Sequence, residues 1–317
     1  MKILIPGGSG QVGTILARAF HAAGDEVVVL SRSPEARPWQ VVVWDGVTPG
    51  AWHREIEGCH ALINLAGRSV NCRYTPRHRR EIMDSRVVST RAVGQAIGGA
   101  RNPPRVWLQA STATIYAHRY DAPNDERSGI LGGHEPDAPD TWRFSIDVAR
   151  AWEREFEEAV CGNTRKVALR SAMTLSPDRG GVFDTLRGLA RYGLGGRAGD
   201  GRQFISWIHD LDFVAAVRWL IDREDIEGAV NVAAPNPLPN AEFMRELRRA
   251  YGIPFGLPST TGMLEVGAFF MRTETELILK SRRVIPARLL EHGFEFRYPH
   301  WRDAARDLCV RSRARRA

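Results

Sequence analysis

The chemistry this chain could carry begins at residue 7. Gly7-Gly8-Ser9-Gly10-Gln11-Val12-Gly13 puts glycines at 7, 10 and 13, directly after an apolar run and at the opening of an amphipathic one. The three glycines do different things. One permits a tight turn, one lets backbone approach a pyrophosphate, and one lets a helix pack closely on the strand before it. The first amides of such a helix lack partners, and the positive end of its dipole faces the phosphates. Strand, turn and helix in that order point to a dinucleotide held by Gly7, Ser9, Gly10, Gln11, Val12 and Gly13. The next strand-like run ends Val29-Leu30-Ser31-Arg32, a hydroxyl and a guanidinium with no acid. A carboxylate there would bond a ribose 2′-hydroxyl and repel a 2′-phosphate, whereas a guanidinium clamps the phosphate. The expected cofactor is therefore NADP(H), read at Ser31 and Arg32.

The elements that must position these residues follow from the pattern. Residues 2–6, 26–30, 40–43, 61–65, 105–109 and 166–170 are short runs rich in Val, Ile and Leu. Residues 11–23, 76–99 and 141–160 show helical periodicity. Strands apolar on both faces and separated by helices predict a parallel sheet covered on both sides, a doubly wound α/β fold of the Rossmann type. After residue 170 the texture changes. Residues 176–201 hold eight glycines around one helical run at 182–192. Short strands are expected at 204–207 and 229–232, and helices at 210–222, 240–251, 262–271, 286–291 and 300–309. The expected division is a dinucleotide-binding domain over 1–170, with later strands returning to its sheet around 204–232, and a smaller, mainly helical substrate lobe over 171–317. A cleft between them is the natural ligand site.

Composition narrows the classes. With 43% hydrophobic and 26% charged residues, the chain can bury a sizeable core. No apolar run reaches the roughly 18 residues of a membrane span, and no signal-like segment precedes the glycines, so a cytoplasmic protein is expected. The four cysteines, Cys59, Cys72, Cys161 and Cys309, have no paired spacing and fit a reducing compartment without zinc or disulfides. No metal-ligand motif is present. The net charge of +7 is concentrated at the end, where Arg306, Arg311, Arg313, Arg315 and Arg316 stand against Asp307. Such a tail could touch nucleic acid, but a solvated, frayed terminus is the expectation. The anticipated partner is a small molecule, with the chain a monomer or homodimer.

These residues, together with Asn64-Leu65-Ala66-Gly67, resemble the short-chain dehydrogenase/reductase superfamily in its extended, epimerase-like branch. The whole chain is similar to atypical epimerase-family proteins that carry a distinctive C-terminal domain, here about 240–310. The matching segments include Ser85-Arg86, Ser111–Tyr116, Leu169–Gly181, Gly199–Asp212, Asn231–Phe243, Arg283–Pro286 and His292–Pro299. The resemblance implies cofactor contacts from Asp45, Leu65, Ala66, Gly67, Arg86 and Ser111 as well. It also implies a Ser or Thr, a Tyr and a Lys that move a proton, the last two as Tyr-x-x-x-Lys on one helix face. Thr112 takes the hydroxyl place. Aligned on Trp152-Glu153, however, the Tyr and Lys places hold Phe144 and Val148, and no Tyr-x-x-x-Lys occurs anywhere in the chain.

A substitute acid is therefore needed. Tyr116 lies just past the fifth strand, His118 titrates in the useful range, and Arg86 could hold an anion. Arg202, Gln203 and Trp207 are expected on the substrate-side wall, in a glycine-rich loop able to close over a ligand. Alternatively, Arg202 pairs with Asp200 or Asp210 and only steadies the lobe. Asp210 reads as a helix cap beside His209. Two functions stay open: an NADP(H)-dependent oxidoreductase or epimerase with a non-standard proton donor, or a retired enzyme that binds NADP(H) as a sensor, scaffold or regulator.

Overall fold

A computed structural model describes residues 1–33, 35–136, 138–260, 262, 274 and 276–315. Seven strands, β1 (Lys2–Pro6), β2 (Glu26–Ser31), β3 (Gln40–Val43), β4 (Ala61–Asn64), β5 (Val106–Thr112), β6 (Arg165–Ser171) and β10 (Gly228–Val232), form one sheet in the order β10-β6-β5-β4-β1-β2-β3. Every pairing in it is parallel. Alternation along the strands feeds two separate cores. Ile3, Ile5, Val27, Val29, Ile63 and Leu108 pack on one face against helices α1 (Gln11–Ala22) and α5 (Asp210–Asp222), through Leu16, Phe20, Phe213 and Val217. Leu4, Val28, Leu30, Leu62 and Trp107 pack on the other against α2 (Pro76–Gly98) and α3 (Asp140–Glu158), through Val93, Ile97 and Phe156. The order in which strands are added reverses between β1 and β4, the switch point at which such a sheet opens a crevice at the carboxyl ends of its strands.

The later part builds a third core. Strands β7 (Met173–Leu175) and β9 (Trp207–His209) pair in parallel, and β8 (Phe204–Ile205) pairs antiparallel with β11 (Leu238–Pro239). Of the segment 204–232, only β10 joins the large sheet. The expected single strand at 204–207 is broken at Ser206, whose hydroxyl donates to the Arg282 carbonyl at 2.6 Å and accepts from the Val284 amide at 2.8 Å. Helices α4 (Val182–Arg191) and α6 (Asn240–Tyr251) and the C-terminal helix Trp301–Ala314 close this core around Phe183, Trp207, Phe243, Leu247 and Leu308. Trp301 stacks on Phe243 at 4.1 Å and donates its indole proton to the Phe243 carbonyl at 2.8 Å. Apart from Gly262, the helix expected at 262–271 lies outside the described residues.

The basic terminus is not frayed through its described length. The helix continues to Ala314, and Arg311 grips both carboxylate oxygens of Asp210 at 2.8 Å. Asp307 accepts from Arg311 at 3.1 Å and meets His209 Nε2 at 3.0 Å. The arginines of this stretch are therefore spent partly on docking the helix. Asp210 is an ion-pair partner, and the cap of α5 is His209, whose Nδ1 accepts from the Leu211 amide.

One buried ion pair ties the sheet to its helices. Arg170 of β6 holds Glu153 of α3 at both oxygens, 2.8 and 2.7 Å. Ser111 of β5 donates to the same carboxylate at 2.5 Å, and the third arm of Arg170 reaches the Tyr116 hydroxyl at 3.0 Å. Tyr116 in turn donates to Asn231 of β10 at 2.9 Å. Truncating one member leaves an uncompensated buried charge. Arg170→Ala is expected to lower stability by about 3–5 kcal/mol in urea unfolding, and pairing it as Arg170→Met with Glu153→Leu to recover most of that loss.

Candidate functional site

The glycine loop has the shape its spacing predicts. Gly7 sits at φ +74° and donates its amide to the Leu30 carbonyl at 2.9 Å. A Cβ there would stand 2.6 Å from the Ala66 backbone, so the turns after β1 and β4 touch. A Cβ on Gly13 would stand 2.4 Å from Gly8 Cα, which sets how closely α1 packs on its own entry turn. Gly10 differs: a Cβ would meet only the Gly7 carbonyl, at an ordinary 3.7 Å, so the space above it is open. No side chain caps α1. Gln11 Nε2, buried at that helix start, has no hydrogen-bond partner, and its side chain lies so close over Gly181 that a Cβ there would collide with it. Open backbone donors, an orphaned buried amide and a clear space above Gly10 fit a bound pyrophosphate.

The end of β2 joins this loop. Ser31 donates to the Ser9 hydroxyl at 3.0 Å, and Arg32 beside it is exposed, with no ion pair among the described residues. Arg37 and Trp39 line the small recess next to Ser31, and nothing in their loop's sequence pattern marks them. Buried Asn64 accepts from the Ala66 amide at 3.1 Å and donates to Gln109 at 3.0 Å, which fixes Leu65, Ala66 and Gly67 against the glycines. Beneath Gly67 lies Arg86, donating to the Arg68 and Ile82 carbonyls at 3.0 Å and stacked over Trp152. Burial brings its guanidinium down to about 10.

Two expected cofactor contacts are occupied elsewhere. The Asp45 carboxylate closes its own turn, accepting from the Val47 and Thr48 amides and the Thr48 hydroxyl. Ser111 gives its hydroxyl to Glu153. The expected substitute acids fare similarly. Tyr116 is 2% exposed and points toward β6 and β10, committed to Arg170 and Asn231, and burial raises its phenol further. His118 accepts from the Ser281 amide at 2.7 Å, and burial followed by the Lys280 charge holds its imidazole below the usual value. Thr112 is half-buried at the end of β5, where its hydroxyl accepts from the Thr114 amide. Phe144 and Val148 lie in an apolar patch with Tyr74, Ile82 and Met83.

Of the residues expected on the substrate wall, Trp207 and Gln203 are buried and Arg202 is exposed. Trp207 is fully buried beside Trp301, with its indole proton on the Asn236 carbonyl. Gln203 is 2% exposed and ties the Ala198 and Ile278 carbonyls together. Arg202 is exposed and faces the Tyr120 ring at 5.7 Å; Asp210 belongs to Arg311, and Asp200 accepts the Arg202 amide. The glycine-rich loop is pinned by a backbone ladder to residues 257–259, including Leu257 N to Gly193 O at 2.7 Å and Gly199 N to Ser259 O at 2.8 Å. Its glycines serve close approach: a Cβ on Gly196 would strike the Leu257 carbonyl at 2.3 Å.

Unmarked in the sequence is the packing of residues 276–282 against Thr114, just past β5. Lys280, 1% exposed, donates to the Thr114 carbonyl at 2.7 Å, and burial brings it down to about 8. Arg282 donates to the Thr114 hydroxyl at 3.1 Å and pairs with Glu276 at 3.7 Å. Glu276 accepts from Ser145 of α3 at 2.5 Å, and Ser145 meets the Tyr74 hydroxyl at 3.4 Å. These groups are scattered from position 74 to position 282, so no spacing motif could announce them. Among the described residues, no group of three His, Cys, Asp or Glu side chains could hold a metal.

Comparison with known proteins agrees with this geometry. Residues 3–233 match the model of the NAD dependent epimerase/dehydratase family, and residues 262–308 match a domain of unknown function, DUF1731. The bovine epimerase family protein SDR39U1 is 30% identical over 312 residues, covering 97% of this chain and 99% of that protein. The crystal structure of human SDR39U1 with NADPH superposes with a TM-score of 0.85 at 28% identity, covering 98% of this chain and 99% of that one. A nucleoside-diphosphate sugar epimerase from Corynebacterium glutamicum gives 0.75 at 28% identity, over 98% of this chain and 58% of the other. With residues 3–233 matched, the chain belongs to the NAD dependent epimerase/dehydratase family.

Proposed function

We propose that this protein binds NADP(H) and acts as an oxidoreductase or epimerase-like enzyme on a small molecule, using a proton donor other than a Tyr-x-x-x-Lys pair. The observation that carries the reading is the open, donor-lined cradle at Gly10 and Gln11, joined through Ser9 and Ser31 to the exposed Arg32. The human relative solved with NADPH supports the same choice of cofactor. When bound, the nicotinamide supplies or accepts hydride. The chain's own residues bind and orient it: Gly7, Ser9, Gly10, Gln11, Val12 and Gly13 at the phosphates, Ser31 and Arg32 at the 2′-phosphate, and Leu65, Ala66 and Gly67 along its length.

In this reading residues 1–170 carry the cofactor and 171–317 form the substrate lobe, with Thr112 and Arg202 on the substrate side. The protein works in a reducing cytoplasm, as a monomer or homodimer, with a small molecule and not nucleic acid as its partner. Among the described residues no helix is long and apolar enough to cross a membrane. One observation favours a second reading, a retired NADP(H)-binding sensor or scaffold: Phe144 and Val148 stand in an apolar patch with no proton to give.

Calorimetry tests the cofactor choice. NADPH is expected to bind at least about tenfold tighter than NADH, because a guanidinium on a 2′-phosphate contributes about 1.5–3 kcal/mol. Arg32→Asp should invert the preference, and equal affinities for the two cofactors would overturn it. Gly10→Val fills the open space above the loop and should abolish binding while thermal unfolding stays near that of the parent. A screen of NADPH oxidation over small aldehydes and ketones then separates enzyme from sensor.

A further inference from the structure

We propose that Tyr74 is the proton donor of this site, with Ser145 and Glu276 as positioning residues that complete a relay in place of the missing Tyr and Lys. This rests on the proposed NADP(H) reading and adds the group that would do its acid chemistry. Three features of placement carry it. Tyr74 lies on the segment that follows β4, and Ser145 lies in the first turns of α3, the helix that follows β5. The Tyr74 ring packs edge-on against Phe144 at 5.1 Å, so a phenol stands beside the phenylalanine that occupies the aligned Tyr place. Its hydroxyl continues to Ser145 at 3.4 Å and to Glu276 at 2.5 Å from Ser145, an unbroken chain of exchangeable protons in a nearly dry setting.

The surroundings hold this chain in position. Glu274 accepts the Tyr74 amide at 2.8 Å, and Arg79 Nε donates to the Tyr74 carbonyl at 3.1 Å. Arg282, held by the Thr114 hydroxyl, balances the charge of Glu276 at 3.7 Å. The second carboxylate oxygen of Glu276, Oε1, is buried and faces the Arg282 guanidinium at 3.7 Å without a hydrogen bond. Burial lifts both groups, the phenol to about 12 and the carboxyl above its ordinary value.

The step balances. A carbonyl carbon of a small aldehyde or ketone gains hydride from the reduced nicotinamide, and its π pair moves to oxygen. That oxygen takes the phenol proton of Tyr74. The phenolate takes the Ser145 proton, and a proton passed from solvent through the Glu276 carboxylate restores the Ser145 hydroxyl. Oxidation runs the same path backwards.

The test needs no known substrate. In full-length protein with all six tyrosines replaced by 3,5-difluorotyrosine, whose phenol ionises near neutrality, fluorine NMR follows each ionisation with and without NADP⁺. The Tyr74 resonance is assigned by its loss in Tyr74→Phe, or by elimination from the other five Tyr→Phe variants should that one fail to fold. NADP⁺ should lower the Tyr74 midpoint by about one pH unit, a tenfold change, because a positive charge brought near the phenol favours the phenolate. Glu276→Gln should move the same midpoint in the parent but not in a Ser145→Ala background. If calorimetry shows NADP⁺ bound while the Tyr74 midpoint stays still, the relay is overturned and the cofactor reading survives. If NADP⁺ does not bind, both fall. For any carbonyl compound the protein reduces, Tyr74→Phe should lower kcat about 100-fold with little change in KM, and an undiminished kcat would overturn the proposal.

Discussion

A guanidinium and a carboxylate locked together away from water constrain most of what surrounds them. Arg170 and Glu153 join β6 to α3, and neighbours fill further hydrogen-bonding positions on them, Ser111 from β5 on the carboxylate and the Tyr116 hydroxyl on the guanidinium. A pair this dry is stable only when its geometry is complete, so it fixes the height of α3 relative to the strand ends. It also settles which hydroxyls remain for chemistry. Ser111 and Tyr116 look available in the sequence, but they belong to this structural knot. Ser145, eight residues before Glu153 on the same helix, is set in place by it and bonds instead with Tyr74 and Glu276.

The large sheet was legible because short apolar runs broken by glycine turns admit one arrangement when the intervening segments are helical. The glycine loop was legible for a similar reason: Gly7 and Gly13 would each collide with backbone if they carried a side chain, so their spacing is a direct imprint of geometry. The second half was harder. Its elements were mostly placed, but the expected substrate wall was not. Trp207 and Gln203 sit in a Gly-Arg-Gln-Phe-Ile-Ser-Trp block that looks like a binding loop, yet an aromatic side chain in a small lobe is worth more as core, and Gln203 serves as a buried tie between carbonyls. The polar cluster at Tyr74, Ser145, Glu276 and Lys280 was invisible for a different reason: it is made only by tertiary closure.

That closure gives a physical role to part of the late segment that matches DUF1731. Glu274 and residues 276–282 do not form a separate body beside the sheet. Their carboxylates and cations are buried against Thr114, Ser145 and Tyr74, groups of the first domain.

The clasp of the C-terminal helix has a consequence for the order in which the molecule is made. Arg311 and Asp307 reach back about a hundred positions to Asp210 and His209. The phosphate cradle needs only the first strands and the turn after β4, so it can take shape while the ribosome is still adding the second half. The cleft cannot, because Glu276 and Lys280 arrive only near the end and the helix that steadies their lobe arrives last. A nascent chain thus acquires its nucleotide-shaped surface well before it acquires the groups beside it, and any loss of the final turn would leave the first without the second.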